Sequence, residues 1–395
     1  MTSLLTFEEA LACVLERAQT LPQETVPLAE ALGRILAESP LARADLPPFP
    51  SSAMDGYAVR ARETPGTLPI SARVAAGSPA AATLPVGTAA AIATGGAVPE
   101  GADTVVPVEQ TDEHDEQVEI RVQAEPGAHI RPRGGDVHAG DAVVPSGTRV
   151  GGAQVGALAA AGVAEIRCFG RPRVAILATG SELRAPGETL EPGQIFESNG
   201  AMLAALLGDV ADVEILPVAR DEKREHHDAL ARGLEADVLV TSGGVSMGPH
   251  DLVRRMASEL GVQEIFWGVA VKPGKPLSFG VRGGTLVFGL PGNPVSSLVG
   301  ALVFVRPALL ARQGLSRAGP EFEVGFALSP LRRNAHRDEF VRARRATDDR
   351  GATLEPVTGQ ESHMIVRAAS ADALVHVPRG TGEITSGEAV RYLRI

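Results

Sequence analysis

The segment ADVLVTSGGVSMGPHD, residues 236–251, carries groups that could do chemistry in two different ways. Its core, Gly244-Val245-Ser246-Met247-Gly248, fits the G-x-S-x-G pattern, in which a serine on a sharp strand-to-helix turn is a nucleophile. The same glycines could instead turn several backbone N–H groups toward one anion. An elbow needs a strand, a turn centred on the serine and a helix that starts at once. Here Gly243 and Gly244 follow Ser242, and Pro249 and His250 separate Ser246 from the helical pattern at Asp251. The loop is too long and too rich in glycine for an elbow. We read Ser242, Gly243 and Gly244 as an anion-binding loop.

Two further loops repeat the theme. TGSEL (179–183) follows the apolar run RVAILA, and LPGNP (290–294), with Pro291 and Pro294, follows TLVFG. Ligands of open α/β sheets lie beyond the carboxyl ends of the strands, so three such loops imply one crevice. VKPGKP (271–276) would supply charge to it. Lys272 and Lys275 stand on a proline-stiffened turn, where converging ammonium groups suit a compact dianion or a phosphate. Carboxylates also gather in these loops: Glu182, Asp221 and Asp251, with Asp55 and Asp136 earlier in the chain. Beside a phosphate they repel unless a cation bridges the two, which is the role Mg²⁺ plays. Asp221 and Asp251 also have a plainer reading as helix N-caps. The histidines are scattered and support no zinc site, and the lone Trp267 has packing as its simplest role.

The elements that must position these groups follow from periodicity. Thr6 and Glu9 make a capping box for a helix to about Arg17, and a second helical pattern covers 28–38. Residues 56–145 hold short β-type runs broken by Gly and Pro, a small β-rich module. TDEHDE (111–116) reads as a solvated loop, and 150–165 as a helix of small residues. From Arg171 strands alternate with helices: RVAILATG, a helix opened by Ser198-Asn199, VEILPVA, a helix from Asp221, ADVLVTSG, a helix from Asp251. Strands near 263–271, 276–281 and 285–289 follow, the last two joined at Gly283-Gly284. Asn293 then caps a long helix with Pro294 in its first position. The fold class is multidomain α/β. A doubly wound, mostly parallel sheet is accompanied by a β-rich N-terminal module, a helical segment and a small C-terminal β-barrel-like domain. The boundaries expected are 1–50 with 136–170, 51–135, 171–317 and 318–395.

Composition narrows the partners. The chain has 395 residues, enough for two to four domains, and its 44 glycines and 29 prolines require many turns. A net charge of −11 opposes nonspecific binding to nucleic acid or anionic membranes. Two isolated cysteines, Cys13 and Cys168, point to a reducing compartment. The N-terminus reads as an amphipathic helix, not a signal peptide, and the apolar run near 295–305 as too short to span a bilayer. A cytoplasmic protein is expected.

The ordered set PPFPSSAMDGYAV, TGGAVPEGADTVVPVE, RPRGGD, ATGSEL, TSGGVSMGPHD, VKPGKPLSFG and LPGNPVSS resembles the molybdopterin molybdenumtransferases of the MoeA type, similar to the E domain of gephyrin. The resemblance covers nearly the whole chain. It implies molybdenum insertion from molybdate into adenylylated molybdopterin, with Mg²⁺-dependent release of AMP. It also implies a homodimer of elongated four-domain subunits; docking to the upstream molybdopterin adenylyltransferase is left open by the sequence. Carried over by position, Asp55, Thr94, Asp136, Glu182, Asp221 and Asp251 match functional polar residues, with Glu182 and Asp251 assigned to Mg²⁺. Asp55 and Asp136 would act across the dimer interface. Lys272 and Lys275 match the basic pair that holds molybdate and phosphate, with Ser296 or Ser297 as hydroxyl donors. DEFVRAR and TGQESHM point to Arg342 and Ser362. Val366-Arg367 departs from the small or hydroxyl residues expected there. Three other readings compete: the preceding adenylyltransferase, a scaffold, and an esterase using Ser246. The first would be one compact domain with a TGGTG-like loop, and the second has no need of Asp251, Glu182 and both lysines.

Overall fold

A computed structural model of the chain describes residues 4–78, 83–220, 222–244 and 252–395. The described chain forms two compact units. The first comprises Met1–Glu24, Gly33–Ala37 and Cys168–Ile395, and the second Thr25–Leu32 and Glu38–Arg167.

The first unit is organised on a six-stranded sheet in the order Asp212–Ile215, Arg173–Ala178, Val238–Ser242, Thr285–Leu290, Ser278–Arg282, Gln263–Trp267. The first four strands are mutually parallel and the last two antiparallel. The near-continuous apolar runs RVAIL and VLV are explained by burial on both faces, as parallel sheets require. Val174, Ile176, Val240 and Phe288 join one core, while Ala175, Leu177, Leu239 and Val287 join another. The first core is covered by Leu203 and Leu207 of the helix Asn199–Leu207, and the second by Leu230 of Lys223–Gly233 and Met256 of Leu252–Glu259. Gly283-Gly284 closes the expected two-residue hairpin, with Arg282 paired to Thr285.

The apolar run near 295–305 is longer in helical form than its sequence suggests. Pro294–Gly300 continues through a π-helical turn, Ala301–Val305, into Arg306–Arg312, a helix of 19 residues in all. By length and composition it could cross a membrane, but 78% of its apolar window is buried in the protein. Phe304 of this helix meets Phe7 edge-on, at 5.7 Å between ring centroids. Phe7 also contacts Phe340 at 5.4 Å, so the N-terminal helix Phe7–Arg17 is pinned from two sides. Its capping box forms as read, with Glu9 N–H donating to Thr6 Oγ1 at 3.1 Å and Thr6 N–H to Glu9 Oε2 at 2.9 Å.

Phe340 belongs to a closed five-stranded barrel of Glu323–Ala327, Asp338–Asp348, Gly351–Pro356, Ala373–Val377 and Ala389–Arg394. Asp338–Asp348 closes it by pairing with both Gly351–Pro356 and Ala373–Val377. A short strand of the α/β part, Val271–Lys272, adds to the barrel in parallel, with Lys272 opposite Glu339.

The second unit is a six-stranded sheet in the order Thr104–Pro107, Gly56–Val59, Ala89–Ile92, Gly66–Val74, Gln117–Ile120, Thr111–His114. Gly56 is required there, because a Cβ at that position would stand 2.0 Å from the Val106 carbonyl oxygen. Three expectations need correction. Residues 28–38 hold a single 3₁₀ turn, Leu28–Glu30, since Gly33 adopts a left-handed φ of 79° that breaks the helical path. TDEHDE is a strand edge and tight hairpin, with Asp115 and Glu116 both at positive φ and Glu113 bonded to Tyr57 and Arg73. The small-residue helix is shorter than read, Gly152–Ala160.

Phe7→Ala removes the ring that three other phenylalanines surround and should destabilise the first unit by about 3–5 kcal/mol. Denaturant unfolding of the two proteins checks this; an unchanged midpoint would show that the helix is not pinned by Phe7.

Candidate functional site

The three loops begin at one level because the strands before them are in register. Ala178 pairs with Ser242, and Ser242 with Leu290. The ladder runs one step further, with Thr179 N–H donating to the Ser242 carbonyl and Gly243 N–H to that of Leu290, both at 3.1 Å. Beyond that step Gly243 and Gly244 turn left-handed, at φ 95° and 66°. A Cβ on Gly243 would lie 2.8 Å from the Thr179 carbonyl oxygen, and one on Gly244 would lie 2.3 Å from Val253. Only glycine fits either place.

The loops open on a cavity of about 880 Å³. Glu182, Ser242, Gly243, Gly244, Lys275 and Pro291 line it, with Pro294 at the start of the long helix. Glu182 is exposed and its carboxylate rests against Gly180, where a Cβ would come within 2.5 Å of Oε2. Asn199 lies at the floor, its Nδ2 2.8 Å from both Ser242 Oγ and the Gly292 carbonyl oxygen. The sequence suggested a cap from Ser198-Asn199, but Ser198 makes no side-chain cap and the Asn199 amide faces the sheet. A signal was present, since Asn199 opens the helix that follows the first strand of the same crevice. Trp267 is half-buried, lines this cavity and carries the Arg254 guanidinium over its ring at 5.3 Å. His363 reaches the cavity from the 359–364 loop.

The two lysines do not converge as expected. Lys275 faces the strand-end cavity, whereas Lys272 lies 2.8 Å from Glu339 and lines a second cavity, about 1130 Å³, with Arg333, His336 and Gln360. The cause is the short strand at 271–272, which sets Lys272 directly opposite Glu339 before the Pro273-Gly274 turn reverses the chain.

Other residues turn out to act through the backbone. Arg342 is 1% exposed and lines neither cavity; its guanidinium donates to the carbonyls of Met364 (3.0 Å), Gly359 (2.8 Å) and Glu361 (3.3 Å). It holds the loop that carries Ser362 in place of touching a ligand itself. Ser362 in turn accepts, through its carbonyl, the Val295 N–H at 3.0 Å, fastening that loop to the long helix. Ser296 and Ser297 are buried, and the Ser297 hydroxyl donates to the Pro291 carbonyl, so neither is an open donor. Val366 is exposed and Arg367 donates to Thr358 Oγ1 at 3.0 Å, away from both cavities.

Among the described residues Glu8, Asp338 and His376 could in principle hold a metal. The imidazole is already committed, however. Arg391 donates to Nδ1 at 3.0 Å, which leaves Nε2 as the N–H that donates to Asp338 at 3.2 Å. Burial pushes the His376 pKa down, with Asp338 opposing, and Phe340 stacks on the ring at 5.2 Å. The group is a satisfied core histidine.

In the second unit Asp55 and Thr94 are brought together. Thr94 donates from its backbone N–H (2.7 Å) and its hydroxyl (2.9 Å) to Asp55 Oδ1. Both bonds, the backbone one first, hold the Asp55 carboxyl below its usual range. Asp136 is exposed in the same unit, its N–H bonded to the Leu46 carbonyl at 2.9 Å. Asp221, Ser246 and Asp251 lie outside the described residues.

A glycine-looped crevice at the strand ends of an open α/β sheet, with Lys275 and Glu182 on its wall, accompanied by a barrel and a β-rich unit, defines a multidomain α/β protein with a strand-end ligand cavity. Three family models match it in order: the MoeA N-terminal region (domain I and II) over residues 5–162, a probable molybdopterin binding domain over 175–311, and the MoeA C-terminal region (domain IV) over 326–395. The chain belongs to the MoeA family. It is 40% identical over 379 residues to molybdopterin molybdenumtransferase 2 of Mycobacterium tuberculosis, covering 92% of this chain and 93% of that one. With the molybdopterin molybdenumtransferase of Haemophilus influenzae the identity is 34%, covering 98% of each. The crystal structure of a molybdopterin biosynthesis MoeA protein from Pyrococcus horikoshii superposes with a TM-score of 0.85, at 26% identity and full coverage of both chains.

Thr94→Val keeps the backbone N–H but removes the hydroxyl, so the Asp55 carboxyl should titrate higher than in the wild type and still below an ordinary aspartate. Because the folded value is the lower one, the contact stabilises the second unit above the normal carboxylate range and is lost as pH falls. A carboxyl-detected NMR titration of both proteins checks the shift; equal midpoints would refute it.

Proposed function

We propose that this enzyme is a molybdopterin molybdenumtransferase that inserts molybdenum from molybdate into adenylylated molybdopterin and releases AMP in an Mg²⁺-dependent step. The observation that carries the reading is the single cavity onto which Ser242, Gly243, Gly244, Glu182 and Lys275 open, in a chain of the MoeA family. Phosphoanhydride cleavage asks mainly for positioning and for neutralisation of charge, and this set offers both. With the Gly243 N–H spent on the Leu290 carbonyl, the loop would offer a phosphate the Ser242 hydroxyl and the close backbone approach that glycine allows, and Lys275 adds a positive charge. Molybdate, a tetrahedral dianion with only acceptor oxygens, suits Lys275 together with donors of the loop Arg342 holds, whereas Lys272, paired with Glu339 at the second cavity, stands outside this set. Ser362, Pro291 and Pro294 complete the substrate walls in this reading, and Thr94 serves by fixing Asp55.

Glu182 is an exposed oxygen donor on the cavity, the hard ligand type that Mg²⁺ takes beside substrate phosphates. Together with Asp251 it would hold the ion, which supplies charge neutralisation when bound. Asp55, Asp136 and Asp221 would serve the reaction as further carboxylates, the first two from the other subunit of a homodimer. Asp55 is already fixed as a charged acceptor by Thr94. The same reading places the enzyme in the cytoplasm, taking its substrate from an upstream adenylyltransferase, with no nucleic-acid or membrane partner.

AMP release from adenylylated molybdopterin tests it, with and without molybdate and Mg²⁺, for wild type and Asp251→Asn. Release that requires both ions and falls at least about a hundredfold in the variant is expected. Binding without release under any condition would favour a scaffold, and no binding would overturn the assignment. An esterase would be revealed by ester hydrolysis abolished in Ser246→Ala.

A further inference from the structure

Asn199 begins the helix Asn199–Leu207, yet its side chain does nothing for that helix. It is 7% exposed and spans two strand-end loops, with Nδ2 at 2.8 Å from the Gly292 carbonyl oxygen and at 2.8 Å from Ser242 Oγ. A carbonyl only accepts, so the atom facing Gly292 must be the amide nitrogen. Its second N–H then points to Ser242, whose hydroxyl oxygen accepts. A hydroxyl that accepts from one side keeps its own proton to give. No described residue takes that proton, although Ser242 is only 3% exposed and lines the cavity. Asn199 Oδ1 is itself buried with no partner among the described residues. A link needed only to join two loops has no reason to bury an unmet acceptor; one needed to set the state of a hydroxyl does.

We infer that Asn199 is a positioning residue for the anion cradle. It locks the Ser242–Gly244 loop to the 291–294 loop and forces the Ser242 hydroxyl to donate toward a phosphate oxygen of the substrate. The inference rests on the proposed function, in that the cavity takes a phosphorylated substrate. The device is electrostatic as well as mechanical. With Asn199 in place the cradle presents only donors at this point, matching an acceptor-only phosphate.

A double-mutant cycle on the full-length enzyme tests it, with adenylylated molybdopterin as the probe and its dissociation constant as the readout. Ser242→Ala should weaken binding about ten- to a hundredfold, the worth of one hydrogen bond to a charged group. Asn199→Ala should weaken it by at least as much, and the double variant no more than Asn199→Ala alone. Asn199→Asp has the same shape but offers Ser242 an acceptor, turning the hydroxyl proton inward. It should bind as poorly as Ser242→Ala even where its melting temperature stays near the wild type's. Losses that multiply in the double variant, or wild-type affinity in Asn199→Asp, would overturn the inference. Should Asn199→Ala fail to fold, the Asn199→Asp arm decides alone. A wild-type enzyme that does not bind the probe would instead refute the functional reading beneath it.

Discussion

Everything in the crevice depends on three parallel strands ending in register. Pairing of Ala178 with Ser242 and of Ser242 with Leu290 fixes where each loop departs. A one-residue slip would turn every side chain of a strand to the opposite face, exchanging the residues of the two cores. The alternation of Val174 and Ile176 with Ala175 and Leu177 between those cores therefore also aligns the site. Hydrophobic burial specifies the register, and the register positions the polar groups.

Within that frame the polar residues divide into those that face a cavity and those that shape it. Gly243, Gly244, Glu182 and Lys275 face one; Arg342, Ser297 and Asn199 work by bonding to the chain. Arg342 shows how burial decides between the roles. Its guanidinium is lowered in pKa by desolvation, with Glu361 opposing, and it offers its donors to three carbonyls of one loop. A charged side chain held this way is tolerated because its N–H groups are satisfied, and it stiffens the loop it holds.

The sequence was most legible where local rules act alone. The capping box at Thr6 and Glu9, the Gly283-Gly284 hairpin, the Pro294 helix start and the alternation of the α/β part all follow from short-range chemistry. So did the three loops, since glycine and proline at strand ends are visible without a partner. What stayed hidden depends on pairing between distant segments. The strand at 271–272 adds to the barrel, and that addition sends Lys272 to Glu339 and away from Lys275. No spacing rule foretells it. TDEHDE looked solvated because its charges are visible in sequence, while the Tyr57 and Arg73 groups that engage Glu113 lie far away along the chain. The role of the Asn199 amide is hidden for the same reason, since its partners Ser242 and Gly292 lie 43 and 93 residues further along the chain.

The π-helical turn at Ala301–Val305 has a consequence for how this chain can vary. It accommodates one residue more than an α-helix would over the same rise, and each residue of α-helix rotates the next by about 100°. The half before it presents Val295 to the Ser362 carbonyl and Ser297 to that of Pro291, while the half after it buries Leu309 and Ala308. The extra residue sets the angular phase between the two halves. Along this helix insertions and deletions are therefore not interchangeable with substitutions: a change of side chain alters one contact, but a change of length alters the angular relation between two whole sets of contacts.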